Sequence, residues 1–444
     1  MWETVNGGWV VENGYRFRGK QFTRSTVPLG RAEVASDGRL AAHFPIPEDY
    51  GGVHTVIVSD AGVTLAQGGV EVNQTFEMLP AEGPVGTLIE IRAKGLGWRT
   101  MESTWVVNWD NQQVGWVSAT GTRGTAVARF RATGAVGQHE IKVYTGYMGQ
   151  GYLNHEQAPN AYLPRPRFVF HVTAGRSVAA GGYAEPYQRQ QVPKAETSVA
   201  GATVSIGPTQ GPVLTRALLE GSGFPANAPV SLVWSTQAGS RVTDAGFAPK
   251  EIELAKIAVS ADGRLSAPFS IPDDLGGQHT VSARSGDKTL ARAFFAIETS
   301  VVSISPTSGP AGTPVTIHLK GVGWTDYDNI YVATYDNAYM GYACGFNSQG
   351  DVVINFTAAG SVGVHLIDFY PGIYQGTDNG GTGNAQQQLY RLPQLTYADD
   401  HPGNKIPALR FAFEVTPAHG EATPSRREVT PARRPAGPPV PTEK

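Results

Sequence analysis

A Gly-x-His triplet leads into an apolar run at four places in the chain: Gly52-Val53-His54, Gly137-Gln138-His139, Gly277-Gln278-His279 and Gly363-Val364-His365. His54 and His279 lie 225 residues apart, and His139 and His365 lie 226 apart. A constant offset of that size marks a two-module unit that has been duplicated, so any fold assigned to one copy must also serve the other. The order is A-B-A′-B′.

The copies align well beyond the histidines. Val34 to Val56 matches Val259 to Val281 at about two residues in three. In the even modules Gly83-Pro84-Val85-Gly86-Thr87 falls on Gly309-Pro310-Ala311-Gly312-Thr313, and Trp109-Asp110-Asn111 falls on Tyr335-Asp336-Asn337. The expected layout is A over 1–73, B over 74–173 with a late insertion at 145–167, a linker at 174–200, A′ over 201–298, B′ over 299–416 with a longer insertion at 371–409, and a tail at 417–444. Four modules of about 100 residues each sit within the usual domain range.

Residues that alternate with period two place half-buried strands throughout. Val315, Ile317 and Leu319 share one face of Pro314 to Lys320, with Thr316 and His318 on the other, and Ile89, Ile91 and Ala93 repeat this in B. Trp105, Val107 and Trp109 in B, and Tyr331, Ala333 and Tyr335 in B′, share a face that reads as core. The pairs Asp110-Asn111 and Asp336-Asn337 that follow have side chains that tolerate left-handed turns. With 54 Gly and 31 Pro and only 16% charged residues, the chain favours short strands and many turns. Six or seven strands per module, with a turn every ten residues or so, describe a β-sandwich. The fold class is all-β, as tandem sandwiches.

One stretch carries a family resemblance. Ile304-Ser305-Pro306-Thr307-Ser308-Gly309-Pro310-Ala311-Gly312-Thr313-Pro314-Val315-Thr316-Ile317, followed by Gly321-Val322-Gly323-Trp324, resembles the opening of bacterial immunoglobulin-like domains of the TIG (or IPT) type. Their usual pattern is S-P-x-x-G-P-x-G-T-x-V-T-I, then G-x-G-F. Ala261-Asp262-Gly263-Arg264-Leu265 through Gly276-Gly277-Gln278-His279-Thr280-Val281 is similar to the later half of such modules in surface proteins. The Gly-Trp in place of Gly-Phe and the late insertions of the even modules depart from the pattern. The resemblance implies early-set immunoglobulin sandwiches, exported and serving as spacers or binding modules. It brings no catalytic residue and no cofactor.

Several classes are disfavoured. A formal charge of −3 gives no basic footprint for nucleic acid. Cys344 stands alone, which rules out an internal disulfide. No run of about 18 apolar residues encodes a membrane span. Met1-Trp2-Glu3 does not open a signal peptide. Because Trp2 aligns with Trp234, the repeat places Met1 well inside its module, so A is expected to lack the counterpart of Gly201 to Leu232, with any export signal further upstream. No G-x-S-x-G, Walker loop or H-E-x-x-H is present.

The four histidines invite a metal or catalytic reading. Each belongs to a different module and has no second ligand at metal spacing, so the favoured reading is a ring packed at a sandwich corner and bonded to a loop carbonyl. Asp399-Asp400-His401 and Asp326-Tyr327-Asp328 lack the ligand count for calcium. Candidate contact residues are aromatic: Trp116 and Tyr342, which follow the hairpin turns, and Tyr144, Tyr147, Tyr152, Tyr370, Tyr374 and Tyr390 in or beside the insertions. Long insertions of this kind either supply a contact surface or fold back over the sandwich.

The expected protein is a rod-like, non-catalytic structural or adhesive array outside the cytoplasm, contacting proteins or surface glycans or associating with itself. A glycan-binding accessory module is the second reading, and an enzyme site in the insertions a remote third. The linker at 174–200 is expected to act as a spacer, and the Pro- and Arg-rich tail to be disordered.

Overall fold

The computed structural model describes residues 1–147, 150–175, 178–188, 193–198, 201–240, 246–345, 347–374, 392–403 and 405–418. The expectation for the tail beyond residue 418, and the part of the B′ insertion that contains Tyr390, lie outside the described residues. Among the described residues B, A′ and B′ are two-layered β-sandwiches in tandem and A is a single sheet. Among the described residues the helical content is one turn, His155–Gln157.

In B, a three-stranded sheet of Thr75–Leu79, Leu88–Lys94 and Ala126–Arg131 faces a sheet that runs Arg167–Val172, Gly137–Tyr147, Trp105–Trp109, Gln112–Val117. Ile89, Ile91, Ala93, Trp105, Val107, Trp109, Phe130 and Phe170 fill the space between them. The inward residues are those of the period-two alternation, while Leu88 points out to solvent. B′ repeats the plan, with Ser300–Ser305, Pro314–Lys320 and Val352–Thr357 against Ile330–Tyr335, Ala338–Cys344, Gly363–Gly372 and Leu409–Val415. The hairpin turns have positive φ at both central residues, 46° and 67° at Asp110-Asn111 and 48° and 65° at Asp336-Asn337. Such turns match the right-handed twist of their flanking strands.

A′ is likewise two-layered. Thr203–Gly207, Arg216–Ser222 and Leu265–Ser270 cover a sheet of Gly246–Ala258, Pro229–Ser240, Gly277–Ser285 and Lys288–Ile297. In A the described strands form a single layer, ordered Arg16–Val27, Trp2–Glu12, Gly52–Asp60, Val63–Val72.

Two expectations about the layout need correction. The segment assigned to a spacer is partly woven into sheets, because Gly181–Ala184 pairs with Leu409–Ala412 at the edge of B′ and Glu196–Thr197 pairs with Ala291–Arg292. Nor do the modules follow one another as an extended rod. B′ packs on B so closely that Tyr370, Leu395, Tyr397 and Ala408 belong to the core of B. The tip of the first hairpin of A reaches B′, where Asp326 accepts from the Phe17 amide at 2.9 Å and the Tyr327 hydroxyl donates to the Gly14 carbonyl. Linear sequence order predicts nothing about such return contacts.

Candidate functional site

The four repeated histidines occupy four separate corners. Each ring lies on an aromatic ring of the adjacent strand: His54 on Trp2 at 4.5 Å, His139 on Trp109 at 4.9 Å, His279 on Trp234 at 4.4 Å and His365 on Tyr335 at 5.6 Å. Each Nε2 faces the carbonyl oxygen four residues earlier at 2.7 Å, on Tyr50, Ala135, Leu275 and Ser361. The Nδ1 partners separate odd from even modules. His54 and His279 face the carbonyls of Glu3 and Ser235 at 2.8 and 3.1 Å, whereas His139 and His365 face the carboxylates of Asp110 and Asp336 at 2.5 Å. With both nitrogens engaged by the chain and the rings stacked, the triplet is a corner device.

At His365 the corner carries a pH dependence. Burial disfavours the imidazolium there, but the Ser361 carbonyl and the Asp336 carboxylate outweigh it, so the ring titrates above its ordinary value near 6.5. A raised folded pKa means that the stabilisation is complete below the unfolded pKa and is lost as pH rises through the folded one. His365→Phe keeps a ring against Tyr335 and removes both hydrogen bonds. It is expected to cost about 1–3 kcal/mol at pH 6 and less at pH 8.5, as read from thermal melts at the two pH values.

The aromatic candidates divide sharply. Trp116 and Tyr342 occupy equivalent positions, 226 residues apart. Trp116 is 0% exposed and Tyr342 is 51% exposed. The difference comes from the end of the B′ insertion, which lies along the edge of B. The Trp116 amide donates to the Pro393 carbonyl at 2.8 Å, the Leu395 amide to the Trp116 carbonyl at 2.8 Å, and the Arg129 amide to the Leu395 carbonyl at 2.9 Å. One segment of B′ therefore joins the edges of both sheets of B. Gly115 permits this approach, since a Cβ there would lie 2.3 Å from the Pro393 oxygen, while its equivalent Gly341 faces open space.

Of the candidate contact residues, Trp116, Tyr144 and Tyr370 are buried. Trp116 and Tyr144 pack with Phe17, Val106, Tyr327 and Ile373 where A, B and B′ meet. Tyr370 packs edge-on against Tyr397 at 5.9 Å. The described end of the B′ insertion packs against B, with Leu395 and Tyr397 in the core of that module. Tyr152 and Tyr374 are half-buried, the side chain of Tyr147 lies outside the described residues, and Tyr342 is exposed beside Tyr339 and Met340 on the edge strand Ala338–Cys344.

The acidic triplets are hydrogen-bonding hubs. Asp400 accepts from the Gly121 and Thr120 amides at 2.7 Å, the Ser118 hydroxyl at 2.6 Å and the Trp9 indole at 2.9 Å. Asp399 pairs with Arg129 at 2.5 Å. His401 is held between Gln394 Oε1 at 2.6 Å and the Tyr327 carbonyl at 2.7 Å, and burial lowers its pKa to about 4. Asp328 accepts from the Thr325 amide at 2.6 Å. Among the described residues no three His, Cys, Asp or Glu side chains are grouped to hold a metal ion.

Sequence reading missed a buried ionic cluster between B and B′. Asp368 lies 2.5 Å from Arg131 and 3.2 Å from Arg410. Arg410 also pairs with Glu185 at 2.8 Å, and its guanidinium lies 4.9 Å from the centre of the Tyr370 ring. Burial pushes the Tyr370 and Tyr397 hydroxyls above their ordinary range, so two arginines face two carboxylates. The one available signal was divergence between copies, since Lys142 of B stands opposite Asp368 of B′ and Thr357 of B′ opposite Arg131 of B.

No family model and no curated protein matches the chain. Solved structures similar to it include the D0-D1 domain of intimin, at 14% identity over 37% of this chain and 88% of that one, with a TM-score of 0.15. A tetra-tandem repeat in the extending region of a large adhesion protein is similar at 12% identity over 85% of this chain and 89% of that one, with a TM-score of 0.20. The ICAM-5 D1-D4 ectodomain fragment is similar at 11% identity over 85% and 96%, with a TM-score of 0.17. No helix among the described residues is long and apolar enough to cross a membrane.

Proposed function

We propose that this chain is a non-catalytic, extracytoplasmic scaffold of immunoglobulin-like modules, the even ones of the TIG/IPT type, that presents a contact surface to a protein partner. The observation that carries this reading is the use of the B′ insertion, which closes the edges of B with Pro393 to Leu395 and buries Trp116. A segment of that length would be the natural place for a specificity loop, and its described end is used to lock modules together. Locking makes a rigid body that can hold an exposed surface in a fixed orientation.

The surface proposed is the edge strand Ala338–Cys344, where Tyr339, Met340 and Tyr342 are exposed. Aromatic and Met side chains are enriched at protein interfaces. A glycan is the second reading, favoured by the same exposed tyrosine rings. Immobilised protein screened against extracellular protein and glycan arrays separates the two. Tyr342→Ala is expected to reduce binding at least about tenfold and to change stability by no more than ~0.5 kcal/mol. Unchanged binding by this variant would remove the edge strand from the proposal, and a glycan ligand lost with Tyr342 would replace the protein reading.

A further inference from the structure

The two even modules differ at the seam between the edges of their two sheets. In B the edge strands Gln112–Val117 and Ala126–Arg131 are bridged by Pro393 to Leu395, and Gln394 forms a parallel bridge with Trp116. Leu395 enters the core of B, where Val117, Ala128 and Phe130 are at most 4% exposed. The equivalent edges of B′ are Ala338–Cys344 and Val352–Thr357. Their inward residues Ala343, Ile354 and Phe356, each 226 positions after its counterpart in B, are only half-buried.

Backbone groups are open along the same seam. The Tyr342 and Asn355 amides are the counterparts of those of Trp116 and Arg129, which donate to Pro393 and Leu395. Among the described residues, no segment outside the two sheets of B′ accepts from them. Gly341 keeps the small residue that admits a strand at Gly115, and has open space in front of it. The late insertion of B is bound to its own module, with Asn160 donating to the Met101 carbonyl at 2.9 Å and Leu163 in the core of B. Closure by a neighbour's insertion is therefore not a step that recurs along the repeat, and the open seam is a difference between two internal copies.

We propose that the seam of B′ is a docking site for an extended segment of a partner protein, added parallel to Ala338–Cys344 with an aliphatic side chain inserted between the sheets. The inference rests on the reading of that strand as a contact surface and adds the mode of binding, strand addition at an open edge. The closing segment of B specifies the occupant. Its parallel bridge sets the direction, and Leu395 sets the aliphatic residue that fills the seam. Arg129, which pairs with Asp399 in B, is replaced by Asn355 in B′, so the partner needs no acid at that place. Residues 392–400 of this chain are committed to B, and a second copy would have to open its own B to donate them. A separate protein is the occupant that leaves B closed.

The test uses the full chain and a synthetic peptide of residues 391–398, which spans Pro393 to Leu395 and omits Asp399. Saturable binding below about 1 mM is expected, with hydrogen-exchange protection appearing at Ala338–Cys344 and Val352–Thr357. The peptide carrying Leu395→Asp is expected to bind at least about tenfold more weakly. So is the unaltered peptide to the Ala343→Asp protein, whose fold is checked by a thermal melt. Val353→Asp, on the outer face of the same edge, is expected to leave binding intact. Absence of saturable binding, equal binding of the Leu395→Asp peptide, or protection confined to Gln112–Val117 and Ala126–Arg131 would overturn the proposal. So would a seam already protected without peptide, since this chain or a second copy would then be the occupant. Failure of the peptide beside a screened partner that still loses affinity with Tyr342→Ala would strike the seam alone, whereas a partner indifferent to Tyr342→Ala would strike the surface reading itself.

Discussion

Asp368→Ala is expected to destabilise the protein by about 3–5 kcal/mol, because it leaves two buried guanidinium groups without the carboxylate that lies between them. Arg131 and Arg410 are 3% and 1% exposed, and neither has bulk water as a substitute partner. The Coulomb energy of such a pair is strong at low dielectric, but so is the desolvation of each ion, and the intact cluster is worth little net. Breaking it is the costly event. Because Arg131 comes from B and Asp368 and Arg410 from B′, the loss should appear in both modules together. Scanning calorimetry should show their shared transition falling by on the order of 10 °C. The pair of half-buried Arg284 with exposed Glu251 supplies the contrast, and Arg284→Ala should change stability by less than about 1 kcal/mol. Equal effects of the two substitutions would show that the Asp368 cluster is solvated in solution.

What could be read in the sequence was what is local or repeated. Alternation in Leu88–Lys94 and Pro314–Lys320 identified the inward residues, because one face of a strand is decided by neighbours two positions away. The histidine corners were equally legible, since the Nε2 partner is four residues earlier in all four copies. Turn chemistry at Asp110-Asn111 depends on two adjacent residues. The contacts between modules were not legible. Asp368 is 237 residues from Arg131, and nothing in either flanking sequence refers to the other. Tyr342 and Trp116 follow equivalent turns, and period-two reasoning gives them the same environment. They differ because the described end of the B′ insertion, at Pro393 and Leu395, lies along the copy in B. An asymmetric solution built on a symmetric repeat shows in the sequence only as divergence between copies, at positions such as Lys142 against Asp368 and Gln349 against Arg123. That last difference sits at the module joints, where Arg123 meets Asp49 at 3.3 Å and Gln349 meets Asp274 at 2.7 Å.

Trp116→Ala tests the junction itself. The indole contacts Trp9 edge-on at 6.4 Å, donates to the Leu392 carbonyl at 3.0 Å, and packs in a cluster drawn from A, B and B′. Truncating a fully buried indole is expected to cost about 3–5 kcal/mol, through lost burial and the cavity left behind. The effect should reach further than the cavity, because the backbone on either side of Trp116 holds Pro393 and Leu395 against the edge of B. Hydrogen exchange should therefore rise at Gln112–Val117, at Ala126–Arg131 and at residues 392–400 together. Leu395→Ala is expected to cost about 2–5 kcal/mol by the same reasoning, with its side chain in the core of B. If the two residues act through one junction, the double variant should lose less than the sum of the single losses, with a coupling of about 0.5–3 kcal/mol. Strict additivity, or exchange confined to Gln112–Val117, would mean that the insertion rests on B without locking it. The rigid presentation of the Ala338–Cys344 edge would then lose its physical basis.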